Sequence, residues 1–281
     1  MNYTTLVSAA ALQQNLQHPN WVIVDCRFSL NDADLGAYAY RHGHLPNARY
    51  AHLNNDLSST VTDFTGRHPL PDFRVLAKKL GSWGIGNTTQ VVVYDDVNGA
   101  MAGRLWWLLR WLGHEQVAVL DGGIGYWQKQ SYPVTTVLPT VKPTTFRPYL
   151  NNYSWLDARH VADGLATGGI CLIDARASER FRGQHEPIDP VAGHIPGALN
   201  RPFQLNLDSN GLFLSAKQLR GQFQQLMGAK EPVQVVHNCG SGVTACHNLL
   251  AMEHAGFSGS KLYAGSWSEW IRNKNRPVAV G

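Results

Sequence analysis

Apolar positions along the chain follow two periods. Short apolar runs, Val22-Ile23-Val24, Val91-Val92-Val93, Cys171-Leu172-Ile173 and Val235-Val236, read as buried strands. Longer stretches of helical composition lie between them, at 73–80, 104–112 and 216–226. Another follows the last strand, with Leu249, Leu250 and Met252 as its apolar positions. Strands alternating with helices predict an α/β fold, a mainly parallel sheet with helices on both faces. In such open sheets ligands collect beyond the carboxyl ends of the strands.

The pattern is written twice. Two strand-like runs end in Asp-x-Arg, at Asp25-Cys26-Arg27 and Asp174-Ala175-Arg176, 149 positions apart. Gly43-His44-Leu45-Pro46-Asn47-Ala48 is matched 150 positions later by Gly193-His194-Ile195-Pro196-Gly197-Ala198. Laying 91–96 on 234–239 and 120–124 on 262–266 extends the match, with Trp127 and Trp270 shortly after. Matches in one order predict a tandem duplication: an N-terminal domain over 1–137, a linker over 138–152 and a C-terminal domain over 153–281. Pro133, Pro139, Pro143 and Pro148 stiffen the join and favour an extended path. On this alignment Asp96 stands where the second half has Cys239, so the first half is expected to be non-catalytic.

Composition narrows the class. The 281 residues are 44% hydrophobic and 16% charged, with a formal net charge of +4, as in a soluble globular protein. Basic residues are scattered without a Lys/Arg run, which argues against nucleic-acid binding. No stretch is long and apolar enough to predict a membrane span, and the start Met1-Asn2-Tyr3-Thr4-Thr5 lacks the charged and apolar regions of a secretory signal. A cytoplasmic protein is expected. The four cysteines, Cys26, Cys171, Cys239 and Cys246, form no C-x-x-C pair, so neither a zinc site nor a disulfide framework is indicated. Cys26 and Cys171 sit in strand-like runs as small hydrophobes, and Cys246 reads as helix packing.

Cys239 is different. It follows a strand and precedes a helix, in the run His237-Asn238-Cys239-Gly240-Ser241-Gly242-Val243-Thr244-Ala245. Two glycines within three residues let the backbone curl more tightly than a plain strand–helix turn needs. Successive N–H groups can then point at one sulfur or anion, and the helix dipole adds partial positive charge. Such a loop favours thiolate over thiol. A cysteine phosphatase would need an arginine six residues on to clamp phosphate oxygens, and Ala245 stands there.

The Asp-x-Arg strands, the Gly-His-Ile-Pro-Gly-Ala motif, the Cys239 loop and Ala264-Gly265-Ser266-Trp267-Ser268-Glu269-Trp270 together resemble the tandem rhodanese-domain sulfurtransferases, over nearly the whole chain. The resemblance implies an enzyme whose cysteine takes sulfane sulfur from a small anionic donor and holds it as a persulfide. The sulfur then passes to cyanide or to a thiol such as thioredoxin, with no metal or organic cofactor. Thiosulfate-using members carry cations just after the cysteine, where this chain has Gly240 and Ser241. The loop is instead similar to that of the 3-mercaptopyruvate branch. There Ser241 and His68, the latter in Gly66-Arg67-His68-Pro69-Leu70-Pro71, match the serine and histidine of a proton relay. The relay's aspartate position falls on Asn54, with Asp56 two residues on. Arg180 matches an arginine that binds the donor's anionic group, a role suited to a guanidinium fork. A second arginine, expected after Glu186-Pro187, is Ile188 here, which leaves Arg182 as a substitute. The amides of Gly240, Gly242, Val243, Thr244 and Ala245 are expected to cradle the outer sulfur. Thiosulfate transfer and a persulfide-carrying or redox-sensing module without turnover are the alternatives.

The remaining polar and aromatic residues have plainer expected roles. His237 and His247 flank the loop as a strand-end and a helix histidine rather than as bases. His44 and His194 recur in both halves and brace a turn. The pairs Asp25–Arg27 and Asp174–Arg176 brace the fold, and Trp106, Trp107 and Trp111 have core spacing.

Overall fold

The computed structural model describes residues 2–281. Its ten strands form two five-stranded sheets of the same topology. The first holds β1 (Leu6–Val7), β2 (Trp21–Asp25), β3 (Ala48–Tyr50), β4 (Gln90–Tyr94) and β5 (Val117–Leu120), in the order β1-β5-β4-β2-β3. The second holds β6 (Trp155–Leu156), β7 (Cys171–Asp174), β8 (Leu199–Asn200), β9 (Val235–Asn238) and β10 (Lys261–Tyr263), in the order β6-β10-β9-β7-β8. Every ladder is parallel. Parallel strands need crossover connections, and helices such as Phe73–Ser82, Ala102–Trp111, Ala216–Met227 and Ala245–His254 supply them. The central strands β4 and β9 are buried at every residue, which is why their valines, Val91-Val92-Val93 and Val235-Val236, run consecutively rather than alternating with exposed polar residues.

Two compact units result. One comprises the chain up to Ser59, Leu70–Asn151 and Ser209–Phe213; the other comprises Thr60–Pro69, Asn152–Asp208 and Leu214–Gly281. The proline-rich join clusters with the first unit because its backbone is tied there. Thr144 N–H donates to Gly81 O (2.9 Å), Tyr149 N–H to Leu112 O (2.8 Å) and Asn151 N–H to Trp111 O (2.9 Å). Arg147 and Asn87 exchange two further bonds.

The duplicated residues do duplicated work. The Arg27 guanidinium binds Asp25 at 2.6 Å and the Gly43 carbonyl at 2.7 Å; Arg176 binds Asp174 and the Gly193 carbonyl at 2.8 Å each. Each pair ties the end of its strand, β2 or β7, to the turn that opens the Gly-His motif. His44 stacks on Tyr40 and bonds its carbonyl through Nδ1 (2.7 Å), and His194 does the same with Phe181 (2.8 Å). Trp106, Trp107 and Trp111 are buried in the first unit.

Candidate active site

β9 ends at Asn238, and Cys239 begins a six-residue loop leading into the helix Ala245–His254. The loop is fastened from outside. Cys239 and Gly240 spend their carbonyls on the N–H groups of Trp267 (3.0 Å) and Ser268 (2.9 Å), which turns the following amides inward. Cys239 N–H donates to Ser266 Oγ (3.1 Å), and that hydroxyl donates to Tyr263 O (2.9 Å). Ser266 makes these contacts from a left-handed backbone (φ +54°), a conformation that costs roughly 1–2 kcal/mol in a non-glycine residue. The strain is located where it fixes the cysteine's backbone. Gly242 is also left-handed (φ +75°), and a β-carbon on it would stand 2.3 Å from Ala264 O. From that position its N–H donates to Cys239 Sγ at 3.2 Å. Cys239 is 2% exposed; Val243 and Ala245 are buried beside it, and Thr244 is half-buried.

The first unit shows what this loop does with an anion. Asp25 pairs with Tyr94 across its ladder, and the equivalent Asp174 pairs with Asn238. The residue after each is therefore equivalent, so Asp95 matches Cys239. Ile124 N–H donates to Asp95 O just as Trp267 N–H donates to Cys239 O. This corrects the alignment that put Asp96 at the cysteine position; Asp96 is exposed. The slip arose because Val91-Val92-Val93 and Val235-Val236 contain nothing to set their phase, and the hydrogen-bond ladder sets it instead. Asp95 is buried, and its carboxylate accepts four backbone N–H groups, from Val97 (3.0 Å), Gly99 (2.8 Å), Met101 (2.7 Å) and Ala102 (2.8 Å). Burial pushes its carboxyl above the usual range, and those four donors pull it back only in part. In one unit the converging amides hold a built-in carboxylate; in the other the same position carries sulfur.

Further residues converge on the Cys239 loop. His68 Nδ1 lies 2.7 Å from Ser241 Oγ, with both residues buried, so the serine and histidine expected of the relay are hydrogen-bonded across 173 positions. Asp56 is engaged elsewhere, by Lys79 (2.7 Å) and the His52 amide (2.9 Å), and Asn54 is exposed. Arg180 holds Glu186 (2.8 Å) and Asp189 (3.3 Å), with its guanidinium against Gly240. Burial would raise the Glu186 carboxyl, but Arg180 and the amides of Asp189 and Ile188 outweigh it and hold it below the ordinary value. Ile188, at the position of the expected second arginine, contributes only that amide and leaves its side chain 39% exposed. Arg182, the substitute, is exposed and bonded to Gln184 (3.3 Å). Burial opposes the Arg176 charge, yet Asp174, Glu186 and the Cys239 sulfur hold its pKa above normal. Arg67, Asp189 and Ser266 had no role on the sequence reading. Arg67 stands next to His68 in the same motif, which was the one available signal.

Both flanking histidines are buried and engaged in side-chain contacts. His237 is fully buried with Nε2 3.0 Å from Met252 Sδ, and burial together with nearby Arg201 brings its pKa down to about 3. His247 Nδ1 accepts from Asn206 (3.1 Å). A folded pKa below the ordinary 6.5 means that the unfolded chain takes the proton first. Stability is then expected to fall on acidification from about pH 6.5 toward pH 3, by ~1.4 kcal/mol per pH unit from this residue. Urea unfolding of a His237→Leu protein is expected to lose ~2 kcal/mol less than wild type between pH 6.5 and 5. Equal losses in the two proteins would contradict a buried neutral imidazole.

The model of the rhodanese-like domain matches twice, over residues 8–130 and 157–273. The Pseudomonas aeruginosa protein named "Probable 3-mercaptopyruvate sulfurtransferase" is 47% identical over the full length of both chains. Rat thiosulfate sulfurtransferase is 32% identical over 96% of this chain and 93% of its own. The crystal structure of SseA from Escherichia coli, described among 3-mercaptopyruvate sulfotransferases, superposes with a TM-score of 0.81 at 29% identity, covering 95% of this chain and all of that one. The chain belongs to the rhodanese-like family. With two such domains it is a tandem rhodanese-domain sulfurtransferase.

Proposed function

We propose that this enzyme takes sulfane sulfur from 3-mercaptopyruvate onto Cys239 and passes it to a thiol, such as thioredoxin, or to cyanide. The Ser241–His68 hydrogen bond carries the choice of donor, because only a carbon leaving group needs a proton delivered. Cys239 as thiolate attacks the donor sulfur. An S–S bond forms, the C–S bond breaks, and its electron pair leaves on carbon as the enolate of pyruvate. The proton from the donor thiol reaches that carbon through Ser241 and His68, leaving Cys–S–S⁻ and pyruvate. Attack by an acceptor thiol on the outer sulfur returns the Cys239 thiolate and releases a new persulfide; cyanide leaves as thiocyanate.

Arg180 is assigned the donor carboxylate, and the amides of Gly240, Gly242, Val243, Thr244 and Ala245 the outer sulfur. The four N–H groups around Asp95 support the second assignment by analogy of position. Preorganised donors of this kind are worth about 10²–10³ in rate each. Catalysis belongs to the C-terminal domain (153–281) with His68 contributed from earlier in the chain, and the N-terminal domain (1–137) is non-catalytic. Four free cysteines support a reducing, cytoplasmic setting, and among the described residues no helix is long and apolar enough to cross a membrane.

Measuring kcat/KM for 3-mercaptopyruvate and for thiosulfate, with one acceptor, tests the proposal. 3-Mercaptopyruvate is expected to be preferred, and a more than tenfold preference for thiosulfate would overturn the assignment. Ser241→Ala is expected to lower kcat with 3-mercaptopyruvate by about 10–10²-fold. With thiosulfate, whose sulfite leaving group needs no proton, it should change kcat by no more than about threefold.

A further inference from the structure

Arg201 is a buried cation with no opposite charge beside it. The residue is 6% exposed, yet among the described residues no carboxylate pairs with it, whereas Arg27, Arg176 and Arg180 hold Asp25, Asp174 and Glu186. Neutral acceptors hold it instead. Nε donates to Asn206 Oδ1 (3.0 Å), and Nη2 donates to Leu205 O (3.2 Å) and Gln222 Oε1 (2.7 Å). The guanidinium carbon also lies 4.3 Å from the centre of the Phe223 ring. Burial draws the Arg201 pKa down to about 10. The titratable group it acts on, His237, is itself buried and neutral and brings no counter-charge. Buried charges are ordinarily paired, because an unpaired one loses its hydration without compensation.

We propose that Arg201 anchors a second ligand site, one that takes a small organic monocarboxylate with an aliphatic body. A cavity of about 590 Å³ opens between the end of β8 and the helix Ala216–Met227, and Arg201 lines it. The Arg201 backbone is fixed on both sides. Its N–H donates to Asp174 O (2.9 Å), and its carbonyl accepts from Asn248 Nδ2 (3.0 Å). Nη1 makes no hydrogen bond, which leaves its N–H groups for a carboxylate oxygen. Neither Cys239, His68 nor Arg180 lines this cavity, so it is separate from the sulfur site.

The remaining lining sets the ligand's class. Gln222 turns its Oε1 to Arg201 and keeps its NH₂ group free, and Gln225, one helical turn on, makes no side-chain hydrogen bond among the described residues. Both amides can donate to a carboxylate's second oxygen. The apolar wall is Leu199, Leu205 and Leu226, of which the first two are 39% and 54% exposed. One cation balances one negative charge. A dianion such as phosphate would find leucines where its second charge needs a partner. A short aliphatic chain fits those leucines, with the carboxylate turned to Arg201.

Hexanoate, titrated into the full-length protein and followed by saturation-transfer NMR, tests the site. It is expected to bind with a Kd of about 10 mM or tighter. Hexanamide, nearly the same shape but uncharged, should bind at least about tenfold more weakly, and inorganic phosphate should not displace hexanoate. Gln225→Glu puts a carboxylate into the cavity wall from an exposed helix position, and should weaken hexanoate at least about tenfold. Arg201→Met should do the same, and Gln225→Glu decides the matter alone should Arg201→Met not fold. Arg180→Met should leave the affinity within about threefold, since Arg180 is not part of this cavity. Wild-type affinity in Gln225→Glu, equal binding of hexanamide, displacement by phosphate, or loss of binding in Arg180→Met would each overturn the site. So would the lack of saturable binding up to about 50 mM. None of these measurements involves sulfur transfer, so their outcome is independent of the donor assignment.

Discussion

Cys239→Ser is expected to remove sulfur transfer while leaving the protein folded, with a fall in kcat/KM of about 10⁴-fold or more from either donor. The substitution is nearly isosteric, and a hydroxyl can still accept the Gly242 N–H that now reaches Sγ at 3.2 Å. Its backbone supports, Ser266, Trp267 and Gly242, are unchanged. What is lost is the sulfur assigned to form the S–S bond. Wild type treated with donor alone should gain ~32 Da, the mass of one sulfur, on the peptide containing Cys239, and the variant should gain none. Cys246 offers no alternative route, being fully buried with its S–H directed at Gly242 O (3.4 Å). Turnover within tenfold of wild type, or added sulfur on Cys246, would contradict the assignment. Repeated turnover with a small donor also separates this enzyme from a carrier that discharges once per partner.

Asp95→Ala is expected to destabilise the first unit by about 3–5 kcal/mol without touching the chemistry directly. Four N–H groups now converge on its carboxylate, and alanine would take the acceptor from all four, those of Gly99 and Ala102 in buried surroundings. Asparagine should restore little, because its amide NH₂ would face donors rather than acceptors. Asp96→Ala is the matched control. Its side chain is exposed, and a change within about 0.5 kcal/mol is expected. Urea unfolding of the three proteins reads the difference, with a separate transition for each unit where they unfold independently. Should Asp96→Ala be as damaging as Asp95→Ala, the register that equates Asp95 with Cys239 would be wrong.

The duplication was legible from residues that must recur because the fold uses them twice. Asp-x-Arg marks a strand end that an arginine ties to the Gly-His turn, and both copies make the same bonds. The cysteine loop was legible too, since two glycines after a strand-end cysteine have a specific backbone consequence, borne out at Gly242. Ser241, His68 and Arg180 came from resemblance, and their geometry was not readable from spacing: the first two are 173 positions apart. The phase of the internal alignment was not legible either. A run of valines can slide by one residue with no change in composition, so Asp96 looked as good a match as Asp95.

By itself the sequence determined that two sibling α/β halves exist and that only the later one places a thiol after its central strand. Those features depend on local periodicity and on residues close together in the chain. Only the tertiary structure decided that Arg67 and Arg180 both lie against Gly240, that Asp189 pairs with the two, and that Ser266 holds the cysteine's amide. Each of these contacts joins segments distant in sequence, and the hydrogen-bond ladders and buried ion pairs that bring them together have no local signature.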